Sequence, residues 1–318
     1  MFAARGIVVS FSVFMLVYCG MSLAVCCAWR KIWLWSQRYP AKRAAGLLLG
    51  LRLLPLIAAA GITAALTVPS FLLLEPRAID EPMGGVPLAL GICGLMLAAF
   101  GVGNAAASAL RASKTIAVWT HEAKPMDESG SVPVLRISRL VPALTAAGIL
   151  RPRVLLSGAA EFLLNTNELQ TALRHEVAHV RRRDNLKKLL LRLVAFPGMS
   201  GLEAAWLEAT EMAADDAAVS NAAEALDLAA AIIKLSQLGS ASEAASADLA
   251  TALVHSPAAS TNVRVERLIA WSDERSVPPQ RYSSWYALGA GVATIAAFAV
   301  TYSQLLVRVH TATEWLVR

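Results

Sequence analysis

Four stretches of this chain contain no Asp, Glu, Lys or Arg: Ile7 to Trp29, Leu53 to Leu74, Pro82 to Leu110, and Tyr282 to Val307. Each is longer than the roughly 20 residues that cross a bilayer as a helix. A segment that is apolar on every side has no face to offer water, so it must lie in lipid or in a large protein core. Mean hydropathy of +0.53, with 56% hydrophobic and only 16% charged residues, favours lipid. The reading is a mainly α, multi-pass membrane protein with four transmembrane helices, at about 7–29, 53–74, 84–110 and 283–307. The first stretch exceeds an ordinary signal-peptide core and is followed by Trp33, Trp35 and Tyr39, an aromatic belt, so it is expected to be retained.

Loop charges orient these spans. Arg30, Lys31, Arg38, Lys42, Arg43 and Arg52 lie between the first two runs with no acidic residue among them, which places that loop in the cytoplasm. The next loop carries Glu75, Arg77, Asp80 and Glu81 and suits the outside. The expected organisation is a membrane domain over 1–110, a cytoplasmic domain over 111–281, and a fourth span with a short external tail over 282–318, both termini being extracytoplasmic. The net charge of +6 does not mark a nucleic-acid binder, because residues 111–281 hold 19 basic and 19 acidic residues and the excess sits in the membrane flanks. The partners expected are a lipid bilayer and a protein or peptide, with no direct nucleic-acid binding. Cys19, Cys26, Cys27 and Cys93 all fall in spans and form neither a disulfide framework nor a cysteine metal site.

Within the cytoplasmic segment, Val132 to Ile137 and Arg153 to Ser157 read as short strands separated by a turn-rich stretch with Pro142, Gly148 and Pro152. A helix is expected to start at an Asn167 N-cap with Gln170 three residues on, its core side made by Leu169, Leu173, Val177 and Val180. Pro197-Gly198 breaks it. Further helices are expected over about 202–219, 222–238 and 263–271.

The first of these helices carries His175-Glu176-Val177-Ala178-His179. Two imidazoles at i and i+4 share one helix face, and a carboxylate sits beside them: the H-E-x-x-H arrangement of a zinc hydrolase. A catalytic zinc takes three protein ligands and leaves one position open. Glu211 is the third candidate, opening Glu211-Met212-Ala213-Ala214-Asp215 on a second helix. His175, His179 and Glu211 would therefore hold one Zn2+ per chain. Glu176, adjacent to a ligand, is placed to act as general base. Asp215, one turn beyond Glu211, is placed to accept the free N–H of a ligating imidazole and fix its tautomer. An anionic intermediate needs a donor opposite the metal, and His255 and Arg264 are the candidates by residue type. The basic cluster Arg181, Arg182, Arg183, Lys187, Lys188 and Arg192 reads as a solvated helix face, and Asp184 as a structural residue that orients that face or caps a neighbour.

The stretch His175 to Asn185, HEVAHVRRRDN, taken with Glu211 to Asp216, EMAADD, resembles the membrane zinc peptidases typified by the beta-lactam sensor-transducers BlaR and MecR. It is similar, more distantly, to HtpX-type and CAAX-processing membrane proteases. The resemblance extends over the span arrangement, the strand Arg151 to Ser157 and the helix Arg264 to Leu268. It implies an α+β gluzincin-type metallopeptidase domain, a bacterial-type inner membrane, His175, His179 and Glu211 as ligands and Glu176 as base. In the HtpX and CAAX relatives a His-Pro element before a final Arg helps bind the intermediate, and the corresponding residues here read His255-Ser256-Pro257. No segment after the last run corresponds to the sensors' penicillin-binding domain, so beta-lactam sensing is not expected. The implied activity is a zinc-dependent endopeptidase acting on a repressor or other signalling protein. The alternatives are membrane-protein quality control and a non-proteolytic zinc-containing transducer.

Overall fold

The computed structural model describes residues 2–76, 84–126, 132–138, 143–194, 196–239, 251–252, 258–271 and 284–317. In chain order the elements are α1 (Phe2–Ser36), α2 (Ala41–Ile62), a π-helical turn (Thr63–Thr67), α3 (Val68–Leu74) and α4 (Gly85–Thr120); then β1 (Lys124–Pro125), β2 (Val134–Ile137), β3 (Leu144–Ala147) and β4 (Arg153–Ser157). There follow α5 (Gly158–Leu163), α6 (Thr166–Arg182), α7 (Asp184–Arg192), α8 (Ser200–Ala218), α9 (Ala222–Gly239), β5 (Thr251–Ala252), α10 (Ala258–Ile269) and α11 (Ser284–Val317). The chain divides into two compact units, one of Met1–Ala28, Leu53–Phe100 and Val277–Arg318, the other of Trp29–Arg52 and Gly101–Ser276.

Among the described residues three helices have the length and hydropathy of membrane spans: Phe2–Ser36, Ala41–Leu74 and Gly85–Thr120. The fourth expected span falls within α11, whose backbone is helical and whose side chains before 297 lie outside the described residues. In the first unit, α1 and α4 meet through small residues, as apolar helices without a hydrophobic drive between them tend to. A Cβ at Gly91 would sit 2.7 Å from the Val8 carbonyl oxygen, so only glycine permits that approach. Pro69 has no N–H to give the carbonyl one turn back, at Ala65. The Tyr302 hydroxyl from α11 donates to that oxygen at 2.9 Å, the kind of external partner a broken helix needs in lipid.

The second unit is built on a five-stranded sheet in the order β1-β2-β4-β3-β5, with β2 and β4 parallel and the other pairs antiparallel. Sequence reading anticipates β2 and β4 and misses β3. Its Leu-Thr-Ala-Ala has little strand propensity, yet all four residues are buried, and pairing on both edges supplies what propensity does not. One core joins Leu144, Val154 and Leu156 of the sheet to Ala172 of α6, Leu228, Ile232 and Leu235 of α9, and Leu268 of α10.

α6 begins two residues earlier than its expected cap. Asn165 is the N-cap, accepting from the Glu168 amide at 2.9 Å, while the Glu168 carboxylate accepts from the Asn165 amide at 2.9 Å. Asn167 therefore lies inside the first turn, where it caps nothing. Glu168 also takes an ion pair from Lys234 of α9 at 2.7 Å, and Arg174 pairs with Glu224 of α9 at 2.9 Å. Two anchors thus fix α6 against α9. The helix does not run on to Pro197: Arg183, with φ 55°, takes the left-handed conformation and divides α6 from α7.

Candidate metal centre

α6 and α8 bring His175, His179 and Glu211 together. His175 Nε2 and His179 Nε2 are 3.1 Å apart, and the Glu211 carboxylate lies 3.6 Å from the first and 3.5 Å from the second. All three side chains are buried. The opposite nitrogens are occupied: His175 Nδ1 is 3.0 Å from Asp215 Oδ1, and His179 Nδ1 is 2.8 Å from Asp184 Oδ2. An ionised carboxylate only accepts, so each imidazole places a proton on Nδ1 and turns its Nε2 toward the other. Two imidazole nitrogens and a carboxylate facing one another in a buried space repel unless a proton or a metal cation lies between them. The donor set, two imidazoles and one carboxylate, is one that zinc takes.

The same electrostatics appear in the proton affinities. Burial works against the His179 imidazolium, but the Glu211 carboxylate and the bond to Asp184 outweigh it and push His179 up to about 9. The position between the ligands draws positive charge. For Glu211, burial would favour the neutral acid, yet His179 and Arg264 hold its carboxyl well below the usual range. Asp215 and Asp184 are held down in the same way, against burial, by Arg264 with His175 and by His179 with Arg182.

A fully buried arginine stands behind the ligands. Arg264 of α10 donates from Nε and Nη2 to the two oxygens of Asp215, at 2.9 and 2.7 Å, and its Nη1 is 3.1 Å from Glu211 Oε2. Arg264, expected from the sequence as a donor opposite the metal, is thus placed with its guanidinium on the carboxylates of Asp215 and Glu211. His255, the other candidate, lies outside the described residues.

Glu176 points to the same space from α6 and is fully buried. Its Oε2 accepts from the Ala146 amide of β3 at 2.7 Å, while Oε1 has no hydrogen-bond partner among the described residues. Burial pushes its carboxyl up to about 7, against the pull of His179 and His175. A fixed carboxylate with one open oxygen and a proton affinity near neutrality has the properties of a general base.

Residues 145–312 match the model of Peptidase family M48, which is more than half of the chain. The chain belongs to peptidase family M48. M48 enzymes are zinc-dependent metallopeptidases, so membership implies hydrolysis of peptide bonds in a protein or peptide. The M48 match begins in β3, includes α6 and α8 with the three clustered donors, and extends into α11. No curated protein and no solved structure was found to match the chain.

Sequence reasoning placed less weight on Asp184 than its position warrants. Residues five apart on a straight helix point about 140° away from each other at 3.6 residues per turn. The left-handed Arg183 between them folds the chain so that Asp184 meets His179. Two members of the basic cluster turn to the same carboxylate rather than to solvent: Arg182 Nη2 at 2.7 Å and Lys187 Nζ at 2.9 Å. Neighbouring Asn185 donates to the carbonyls of Ala146 and Gly148, tying the start of α7 to β3.

Proposed function

We propose that this M48 chain is an integral membrane zinc endopeptidase with a cytoplasm-facing site, in which His175, His179 and Glu211 hold the metal and Glu176 is the general base. The observation that carries this reading is the convergence of the two Nε2 atoms and the Glu211 carboxylate within 3.6 Å of one another, each imidazole facing a carboxylate of its own on the other side. Zinc, when bound there, supplies a Lewis acid for the peptide carbonyl and lowers the pKa of water to about 7.

The rest is done by the chain. Glu176 Oε1 takes the proton from water as the oxygen attacks the peptide carbon, and returns it to the departing amine nitrogen as the C–N bond breaks. The Ala146 amide holds Oε2 meanwhile, so the carboxylate does not rotate between the two transfers. Asp215 and Asp184 keep each imidazole in the tautomer that presents Nε2. Arg264 holds Asp215 and Glu211 and is a positioning residue in this scheme. The substrate side follows the resemblance to the antirepressor-type sensors: regulatory cleavage of a repressor or another signalling protein. The cytoplasmic orientation rests on the charge of the loop after the first span.

The test is degradation of an unfolded reporter protein by the purified chain in detergent. Activity should vanish with a zinc chelator and return with added zinc. Cleavage indifferent to chelation, or none by the zinc-loaded protein against any candidate repressor or unfolded reporter, would refute the reading.

A further inference from the structure

α7 is nine residues long, and both of its ends are held. At its start Asp184 bonds His179 Nδ1 at 2.8 Å. At its other end, about 14 Å away at 1.5 Å per residue, the last carbonyls of a helix have no partner within it. Here they are met from α2 and α4, two of the helices with the length and hydropathy of membrane spans. Arg52 Nη2 of α2 donates to the Val194 carbonyl at 2.5 Å, and Asn104 Nδ2 of α4 donates to the Arg192 carbonyl at 3.2 Å. Between them α4 comes close enough that a Cβ at Gly101 would stand 2.5 Å from the Leu193 carbonyl oxygen. The Arg192 and Val194 carbonyls thus accept hydrogen bonds from two helices, and α4 packs closely against the carbonyl between them.

The choice of residues is informative. Arg52 was counted with the loop charges in the sequence, but it lies within α2 and is only 4% exposed. A buried arginine in a helix of this kind is costly unless its charge is used, and such a residue marks function more often than not. A cation at a helix C-terminus is also in its favourable place with respect to the helix dipole. Leu191 and Val194 are the buried apolar residues at that end, and Pro197-Gly198 follow. The start of α7 is joined to β3 through Asn185 and to α6 through the Asp184–Arg182 pair.

We propose that Arg52 and Asn104 are positioning residues for the metal centre: by holding the carbonyl end of α7 they set where its other end presents Asp184 to His179. The proposal rests on the reading of His179 as a metal ligand. Its consequence is that the position of α2 and α4 is felt at the ligand through one short helix.

The experiment is a double-mutant cycle read as zinc affinity, by chelator competition on the full-length protein in detergent micelles. Arg52→Met should weaken zinc binding about tenfold, the lower end of what loss of an imidazole's outer partner causes, and Arg52→Lys should restore most of it. Asp184→Asn alone should weaken binding by about tenfold or more. In the Asp184→Asn background Arg52→Met should cause almost no additional loss, because both act on one contact. Should Arg52→Met fail to yield a monodisperse protein, Asn104→Leu, which removes one neutral hydrogen bond, carries the same cycle with the same expectation. Unchanged affinity in these variants, or a full further tenfold loss on the Asp184→Asn background, would overturn the proposal while leaving the zinc site intact. A wild-type protein that binds no zinc would remove the functional reading itself, and this proposal with it.

Discussion

Asp184 and His179 lie in contact across a helix break, Oδ2 to Nδ1 at 2.8 Å, although five positions on a continuous helix would point them apart. The His175 ring has the matching partner in Asp215 at 3.0 Å. The two imidazoles therefore face carboxylates of different origin, one at the start of α7 and one carried by α8.

Symmetry of function follows from that pairing. Asp184→Asn and Asp215→Asn should each lower zinc affinity by about 10-fold to 100-fold, since either leaves an imidazole free to rotate or change tautomer. Competition with a chromophoric chelator measures both. A large loss for Asp215→Asn alone would show that Asp184 serves the fold of α7 and not the metal.

Arg264 offers a sharper contrast. Its guanidinium is buried with no exposure and bridges Asp215 and Glu211. Removing one partner of such a buried network typically costs about 3–5 kcal/mol, because charges are left unpaired. Arg264→Met should therefore lower both thermal stability and zinc content. Arg264→Lys should rescue poorly, lacking the fork that meets both Asp215 oxygens. If Arg264→Met kept its zinc and its stability but lost turnover, the residue would belong to the substrate side, where sequence reasoning first placed it.

The helices and the two faces that bring His175, His179 and Glu211 together were legible in the sequence because both are local patterns, hydrophobic recurrence at helical spacing and polar groups at i and i+4. What escaped was set by tertiary context. β3 is an Ala-containing segment made a strand by neighbours on both edges, and with it the Ala146 amide that holds Glu176 was missed. Asp184 was hidden because its role depends on one residue, Arg183, adopting a left-handed backbone that few non-glycine residues take. Arg52 looked like a loop charge because burial of a cation is invisible to a count of charges.

The raised proton affinity of Glu176 has a stability consequence. Its carboxyl is lifted from an ordinary 4.5 to about 7 by burial, so the folded state disfavours the ionised form. The stability this costs is absent below pH 4.5, grows as pH rises, and is complete above pH 7, where it reaches about 3 kcal/mol in the metal-free protein. Glu176→Gln, neutral at every pH, should raise the melting temperature of the metal-free protein at pH 8 and change it little at pH 4.5. Thermal unfolding at the two pH values measures this, and an equal shift at both would contradict the assignment to ionisation.

Topology is open to a direct chemical test. Leu150 lies between β3 and β4 and is 89% exposed. Leu150→Cys, in a chain whose other four cysteines are replaced, should resist a membrane-impermeant maleimide in intact cells and react after permeabilisation. Efficient labelling of intact cells would put the metal centre on the outer side.

Glu176 separates the metal from the chemistry performed on it. Glu176→Gln leaves His175, His179 and Glu211 in place and keeps an oxygen to accept from the Ala146 amide, but removes the proton acceptor. The decisive measurement is zinc content and cleavage rate on the same purified Glu176→Gln sample. About one zinc per chain, with cleavage down by at least the roughly 100-fold expected on loss of a general base, is the predicted result. Full zinc with cleavage at the wild-type rate would contradict it.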